Sequence, residues 1–404
     1  MKFFLNESKL KEAKIFIPGS KSESNRLLIL SSLYKNLSLE NLSNSDDTNY
    51  LFKALSQKNK TIDVGHAGTA MRFLTSLIAL QTTREIELKG SDRMHNRPLK
   101  ILVESLKKIG ASIQYLEKDG FPPLLIKPSK LSGDKLSLDS SVSSQYISSL
   151  LLIAPKIKGG LEIELLGEQT SLPYINMTIL LLKKIGVKIQ SEKNILKVYD
   201  LKNIRPLKIS IESDWSSASY YYSVVAMADI GYSIMLSTFK KDSIQGDKIA
   251  SEIYKSFGVE TKFTEKYIIL KKVGNNISEI SLDLSPNPDL AQTICVTCLG
   301  LKMNCKLTGL HTLKIKETER LIALKKELSK FNLNVNITSD SISFDDKSSF
   351  KSIIEINTYD DHRMAMSFAC LAVKTNIIIC NPSVVSKSYN SFWLDFEKIG
   401  ITSQ

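Results

Sequence analysis

Residues 358–373 read TYDDHRMAMSFACLAV, a polar loop of small and charged residues that runs directly into an apolar segment. Asp361 stands where a helix N-cap belongs, and Met364 and Phe368 recur at helical spacing as a buried face. Taken alone, the loop has several readings. Asp360, Asp361 and His362 look like a metal-ligand set, an Asp–His pair suits a catalytic relay, and Arg363 suits an anionic ligand. A capped helix with a solvated first turn fits equally well.

The stretch is the last of six. The others are GSKSESNRLLILSSL from Gly19, GHAGTAMRFLTSLIAL from Gly65, SSVSSQYISSLLLIAP from Ser140, ESDWSSASYYYSVVAM from Glu212 and SPNPDLAQTICVTCLG from Ser285. After the first interval the starts are almost evenly spaced, which marks an internal repeat. Amphipathic helices lie between the copies, and several end in a shared phrase: LVESLKKIGASIQY, LLLKKIGVKIQ, IYKSFGVETKF, LKKELSKFNLNVNI and FEKIG. Leu or Ile recurs at helical spacing, then Gly (Asn in one copy) takes the C-cap, and alternating residues read as a strand. Each unit therefore reads strand, helix, strand, helix, strands.

Six such units exceed one ordinary sheet. An α/β chain of two domains with three units each is the economical expectation. The opening strand, before Pro18, goes with the C-terminal half. The expected domains are residues 1–18 plus 213–404, and 19–212, with a tight hinge because no Gly/Ser linker marks the crossing. Each loop-to-helix junction exposes free N–H groups at a partly positive helix end, a ready anion site. Six of them facing one interdomain cleft would grip a strongly anionic ligand set.

Composition narrows the function classes. Hydrophobic residues make up 43 % and charged residues 24 % of the 404, the profile of a soluble globular protein with length enough for a real core. No apolar run reaches the ~18 residues that span a bilayer, so no membrane partner is expected. The apolar start of MKFFLNESKL is broken by Asn6, Glu7 and Lys9, against a secretory signal, and a cytoplasmic location is expected. Cys295 and Cys298 form a C-x-x-C inside the apolar run TICVTCLGL, where two small buried residues on one helix face are expected. No second pair or nearby His completes a zinc site. The net charge of +12 is spread along the chain without basic–aromatic runs, so anionic small molecules are expected as partners rather than nucleic acid.

Arginine usage is more pointed. Of 54 basic residues only eight are Arg, at 26, 72, 84, 93, 97, 205, 320 and 363. A chain that uses Lys so freely keeps Arg mainly where a rigid fork must meet carboxylate or phosphate. In PGSKSESNR, Lys21 and Arg26 stand beside hydroxyls. In VGHAGTAMR, Gly65 and Gly68 flank a turn where backbone can approach a ligand. RMHNRP offers Arg93 and Arg97 before a Pro-started helix. KIKETER reads as one helical turn, with Lys316 and Arg320 on one face and Glu317 to the side; an exposed salt-bridged helix would look similar.

The motifs PGSKSxSNR, GHAGTAMR, RMHNRP, SSQY, KETER and DDHRM, in that order, resemble the enolpyruvyl transferase family, in the branch that acts on shikimate 3-phosphate. The resemblance runs from Pro18 to about Lys387. It implies two domains of three βαβαββ copies with the active site in the cleft between them. It implies transfer of the enolpyruvyl group of phosphoenolpyruvate (PEP) to the 5-hydroxyl of shikimate 3-phosphate, with no cofactor and no metal. It also implies inhibition by glyphosate in the PEP pocket.

Carried over by motif, Lys21, Ser22, Arg26, Ser143, Ser144, Gln145, Ser171 and Tyr174 would hold shikimate 3-phosphate, with Asp289 and Lys316 at its hydroxyl. Lys21, Gly68, Arg97, Gln145, Arg320, Arg363 and Lys387 would hold PEP. The resemblance makes Asp289 the proton acceptor and Glu317 the proton donor to C3, with Lys21 and Lys316 beside the reacting groups. His66, Thr69, Arg72 and His362 are further candidates. His66, Phe73 and Glu319 stand where many members have Asn, Pro and Asp.

Two rival classes share some of these features. A transferase acting on UDP-N-acetylglucosamine commonly carries a Cys in a first-domain loop, but no Cys here precedes Cys295. An RNA-end-processing or RNA-binding repeat protein fits the charge but not the acid–base set. A monomer suits a hinged cleft.

Overall fold

The computed structural model describes residues 1–6, 9–57, 59–139, 143–167, 171–274, 277–350 and 352–403. The chain divides into two compact units. Met1–Pro18 with Glu212–Gln404 form the first, and Gly19–Ile211 the second. Glu212 belongs to the first unit, one residue earlier than the sequence pattern suggests. Its carboxylate accepts from Trp215 Nε1 at 2.8 Å, Lys240 N at 2.8 Å and Ser243 Oγ at 2.6 Å, all in that unit.

Among the described residues each unit contains three small sheets. The sheets share one device, a parallel strand pair joined through a buried helix. In the second unit, strands Thr61–Asp63 and Ile86–Lys89 flank helix Gly68–Gln81, and strands Lys135–Asp139 and Leu161–Leu166 flank helix Ser144–Ile153. In the first, strands Glu279–Asp283 and Asn304–Thr308 flank helix Ala291–Gly300, and strands Ile353–Ile356 and Asn376–Cys380 flank helix His362–Ala369.

The remaining two copies are cut by the chain crossings. Strand Lys14–Phe16 precedes helix Lys21–Leu33 in sequence, yet pairs in parallel with Ser233–Ser237 of the first unit, Met235 opposite Lys14. Strand Leu207–Ser210 precedes helix Trp215–Met227, yet pairs with Leu37–Glu40 of the second, Leu207 opposite Leu37. The opening strands of two copies have changed places, which is why the chain passes between the units twice.

The three junction helices of each unit touch one another. Ala291–Gly300 is buried along its whole length, and Trp215–Met227 at every residue but Ser216. A helix apolar on all sides must be packed on all sides. Hydroxyl bonds stitch them: Thr297 Oγ1 to Ser223 Oγ at 2.8 Å, Thr293 with Ser367 at 3.2 Å, and Ser76 with Ser149 at 2.6 Å. Cys295 and Cys298 are free, buried thiols on one of these helices. The shared phrase ends as its composition requires. Gly110, Gly186, Gly258 and Gly400 have φ of 105°, 100°, 74° and 93°, and Asn332 in the variant copy has 61°. All are left-handed, the conformation that favours Gly or Asn after a helix.

Candidate active site

The first unit gathers its charged candidates around Asp289, in the 3₁₀ turn Pro288–Leu290 that opens helix Ala291–Gly300. Oδ1 accepts from Arg320 Nη1 at 2.9 Å and lies 3.3 Å from Lys316 Nζ. Oδ2 accepts from Arg363 Nη2 at 3.0 Å, and Arg363 Nη1 donates to the Asp289 carbonyl at 3.2 Å. Burial opposes the charge on Asp289, but Arg363, Lys316 and Arg320 outweigh it. Despite Glu317 nearby, the carboxyl is held well below the usual carboxylate range.

Arg320 is almost fully enclosed. Besides Asp289, its Nε donates to Asp361 Oδ2 at 2.7 Å and its Nη2 to Glu317 Oε2 at 2.8 Å. Burial works against its charge, and Asp361, Glu317 and Asp289 more than restore it. Asp361 also caps helix His362–Ala369, accepting from Arg363 N at 2.9 Å. His362 is buried, with Nδ1 3.9 Å from Asp361 Oδ1. Tyr359 and Asp360 both have φ of 54°, and this paired left-handed turn presents the Asp360 carbonyl to Lys387 Nζ at 2.7 Å. Among the described residues no group of three His, Cys, Asp or Glu side chains is placed to hold a metal ion.

The expected helical turn through KIKETER does not form. Helix Arg320–Ser329 begins only at Arg320, and Lys316 is extended. Glu319 is the N-cap, accepting from Ile322 N at 2.9 Å. The cap halts the helix there, so Lys316 reaches Asp289 while Glu317 turns back onto Arg320. RMHNRP differs too: Pro98 stands two residues ahead of helix Lys100–Lys108, after a 3₁₀ turn over Met94–Asn96.

In the second unit, Lys21 opens helix Lys21–Leu33 behind the cap Ser20, and its Nζ lies 3.6 Å from Asp47 Oδ2. Ser22 lends its carbonyl to Arg26 Nη1 at 2.8 Å. Arg26 is buried. It donates from Nε to Thr178 Oγ1 at 2.7 Å, and from Nη2 to Ser148 Oγ and the Tyr174 carbonyl, both at 3.1 Å. Its guanidinium lies 5.6 Å from the centre of the Phe73 ring, so Phe73 forms an aromatic floor. Burial pushes its pKa down to about 10. Arg26 thus binds three elements of its own unit together.

Arg97 packs on Gly68: a Cβ there would fall 2.3 Å from Arg97 Nη1. Arg72 donates to the Gly68 carbonyl at 2.9 Å and lies over the Tyr146 ring. Thr69 follows Gly68 in the first turn of that helix. His66 Nε2 is 3.9 Å from Asp46 Oδ2. Ser143 caps helix Ser144–Ile153, accepting from Gln145 N at 3.3 Å. Ser171, with φ of 55°, precedes helix Leu172–Lys184, which carries Tyr174. Ser140, Ser141 and Val142, which begin the third junction motif, and Thr170, which precedes Ser171, lie outside the described residues.

A sequence model of the EPSP synthase family (3-phosphoshikimate 1-carboxyvinyltransferase) matches residues 53–396. The chain belongs to this family. A 3-phosphoshikimate 1-carboxyvinyltransferase of Bacteroides fragilis is 43% identical over 406 residues, covering 99% of this chain and 98% of the relative. One from Histophilus somni is 35% identical over 425 residues, covering 96% of each. An EPSP synthase structure from Acinetobacter baumannii covers 100% of this chain and 99% of its own, with a TM-score of 0.79 at 20% identity, so the fold is shared.

Within this EPSP synthase family member, sequence reasoning missed Asp247 and Ser216. Ser216 Oγ donates to Asp247 Oδ2, Asn287 Nδ2 donates to Oδ1 at 3.1 Å, and Arg363 Nη2 reaches Ser216 Oγ at 3.4 Å. Burial pushes the Asp247 carboxyl up, Arg363 pulls it down, and Asp289 adds to the rise. Ser216 sits in the fourth junction motif, so the repeat itself was the available signal. Asp247 lies in IQGDKI between motifs, and only the tertiary fold brings it to Arg363.

Proposed function

We infer that the chain transfers the enolpyruvyl group of PEP to the 5-hydroxyl of shikimate 3-phosphate, giving 5-enolpyruvylshikimate 3-phosphate and phosphate. The observation that carries this is the group of Asp289, Lys316, Glu317, Arg320 and Arg363, which joins acid–base groups to anion clamps, in a chain whose full-length relatives bear the name of this activity.

Both substrates carry a phosphate and a carboxylate. Lys21, Ser22, Ser143, Ser144, Gln145, Ser171 and Tyr174 hold shikimate 3-phosphate, with Arg26 fixing the helices that present them. Arg97, Arg320, Arg363 and Lys387 hold PEP, with Lys21, Gly68 and Gln145 beside it. In the addition step the 5-oxygen bonds to C2, the hydroxyl proton passes to Asp289 with Lys316 beside it, and Glu317 gives a proton to C3. In the elimination step C3 returns a proton, the C2–O bond to phosphate breaks and phosphate leaves. Positioned acid–base groups of this kind contribute roughly 10²–10⁴-fold, and the cations add positioning and charge stabilisation. The protein works as a cytoplasmic monomer without nucleic-acid partners.

The test is a substrate-swap assay of phosphate release. Release requires PEP and shikimate 3-phosphate together, and does not occur with UDP-N-acetylglucosamine as acceptor. Release with the nucleotide sugar alone as acceptor would reassign the chain to that transferase. Binding of RNA that weakens steeply with salt, without phosphate release, would favour the RNA reading.

A further inference from the structure

The outer edge of Arg320 is already occupied. Nη1 donates to Asp289 at 2.9 Å and Nη2 to Glu317 at 2.8 Å, and the side chain is only 1 % exposed. A single ligand carboxylate held by an arginine fork needs two such N–H groups at once, and here two different carboxylates cover them. Nε stays tied to Asp361, which is itself fully buried. Arg363 repeats the arrangement through its bond to Asp289 Oδ2 at 3.0 Å. Lys316, Arg320 and Arg363 face Asp289, Glu317 and Asp361, with Asp247 beside Arg363, so among these described groups the cations do not outnumber the carboxylates that an arriving anion must displace.

We propose that PEP enters by exchange: its anionic groups take the N–H donors of Arg320 and Arg363 from Glu317 and Asp289, and the two displaced carboxylates become the proton-transfer groups. This rests on the functional reading above and adds an order of events to it. A carboxylate gripped by two guanidiniums and an ammonium is a poor base. Once the ligand's carboxylate and phosphate take over the guanidiniums, Asp289 keeps only Lys316 and Glu317 loses Arg320. Both then face a new negative charge, and their affinity for protons rises. The other charged groups around them, Asp361 behind Arg320 and Asp247 beside Arg363, stay in place. Asp361 holds Arg320 through the exchange. Acid–base chemistry is armed only when PEP is present.

The test is calorimetric binding of phospholactate, a saturated PEP analogue with no methylene to protonate, to protein saturated with shikimate 3-phosphate. Glu317→Gln removes a competitor for Arg320 and keeps the side-chain shape. It binds the analogue about tenfold tighter than wild type, because an internal competitor lowers apparent affinity by the fraction of sites it occupies, while turnover with PEP is lost. Asp289→Asn behaves the same way. Wild type takes up protons on binding near pH ~6, read from two buffers of different ionisation enthalpy, and Glu317→Gln takes up fewer. Glu319→Gln removes the same charge from a residue that caps the helix and does not touch Arg320, and its affinity stays within about twofold. Equal or weaker binding by both Glu317→Gln and Asp289→Asn, or equal tightening by Glu319→Gln, overturns the exchange. Wild-type protein that binds neither ligand overturns the functional reading, and the exchange with it.

Discussion

Gly68 and Arg97 contend for one volume. A Cβ at position 68 would lie 2.3 Å from Arg97 Nη1 and 2.8 Å from Cζ, so Gly68→Ala pushes the guanidinium aside without straining the backbone. The expected result is a KM for PEP raised about tenfold, the loss of roughly one charge-assisted hydrogen bond, with a smaller fall in kcat. Steady-state kinetics checks it, and an unchanged KM would show that Arg97 does not meet PEP. Asp289→Ala should lower kcat by roughly 10²–10⁴-fold while the protein still binds its substrates. Equal losses in turnover and binding would remove Asp289 from proton transfer. Arg320 and Arg363 stood out as candidates in the sequence because Arg is scarce and each lies in a short charged motif, Arg363 at an expected helix start. The role of Glu319 was not, because Glu319 acts as a cap and thereby breaks the helical turn that the spacing in KIKETER suggests. Nor was Asp247, whose partners Ser216 and Asn287 are far away in the chain.

At the level of elements, the helix starts and ends follow sequence rules. Ser20, Ser143, Asp214 and Asp361 cap their helices through side-chain oxygens. Such caps and the left-handed glycines are readable because they depend on local geometry alone. Strand partners are not local, and the exchange of Lys14–Phe16 and Leu207–Ser210 between copies is visible only in the pairing. Lys272, at the end of strand Tyr267–Lys272, is another tertiary device. Its Nζ donates to the carbonyls of Ala226 at 2.6 Å and Phe257 at 2.8 Å, near the ends of two helices. Burial first, and the charge of Lys374 second, push its pKa down to about 8. The unfolded chain holds this proton up to about pH 10.4, so between these values the unfolded state binds more protons. Stability from this group therefore rises with pH through that window. Denaturant unfolding at pH 7 and about 9.5 should show wild type gaining about 1–2 kcal/mol relative to Lys272→Met. A gain no larger than the variant's would mean that Lys272 titrates normally.

At the scale of the whole molecule, six repeats, their spacing and their mixed α/β character were legible because each repeat is written in the same punctuation. The net charge of +12 was legible too, but its meaning was not. Inside the Asp289 cluster the cations are matched by carboxylates, so the excess lies elsewhere and acts on substrates at a distance. Raising salt from low ionic strength to ~0.5 M should therefore lower kcat/KM for both anionic substrates more than it lowers kcat. Equal effects on both would locate the salt dependence in the chemical step. As a whole, the molecule moves an enolpyruvyl group from one phosphorylated acid to another. Phosphorus NMR of PEP and shikimate 3-phosphate with the purified protein tests it most directly. The PEP signal should disappear as inorganic phosphate appears, while the phosphate of the acceptor is kept and its resonance shifts to that of the product. Folded protein that leaves both signals unchanged, or that releases phosphate from PEP without the acceptor, would contradict it.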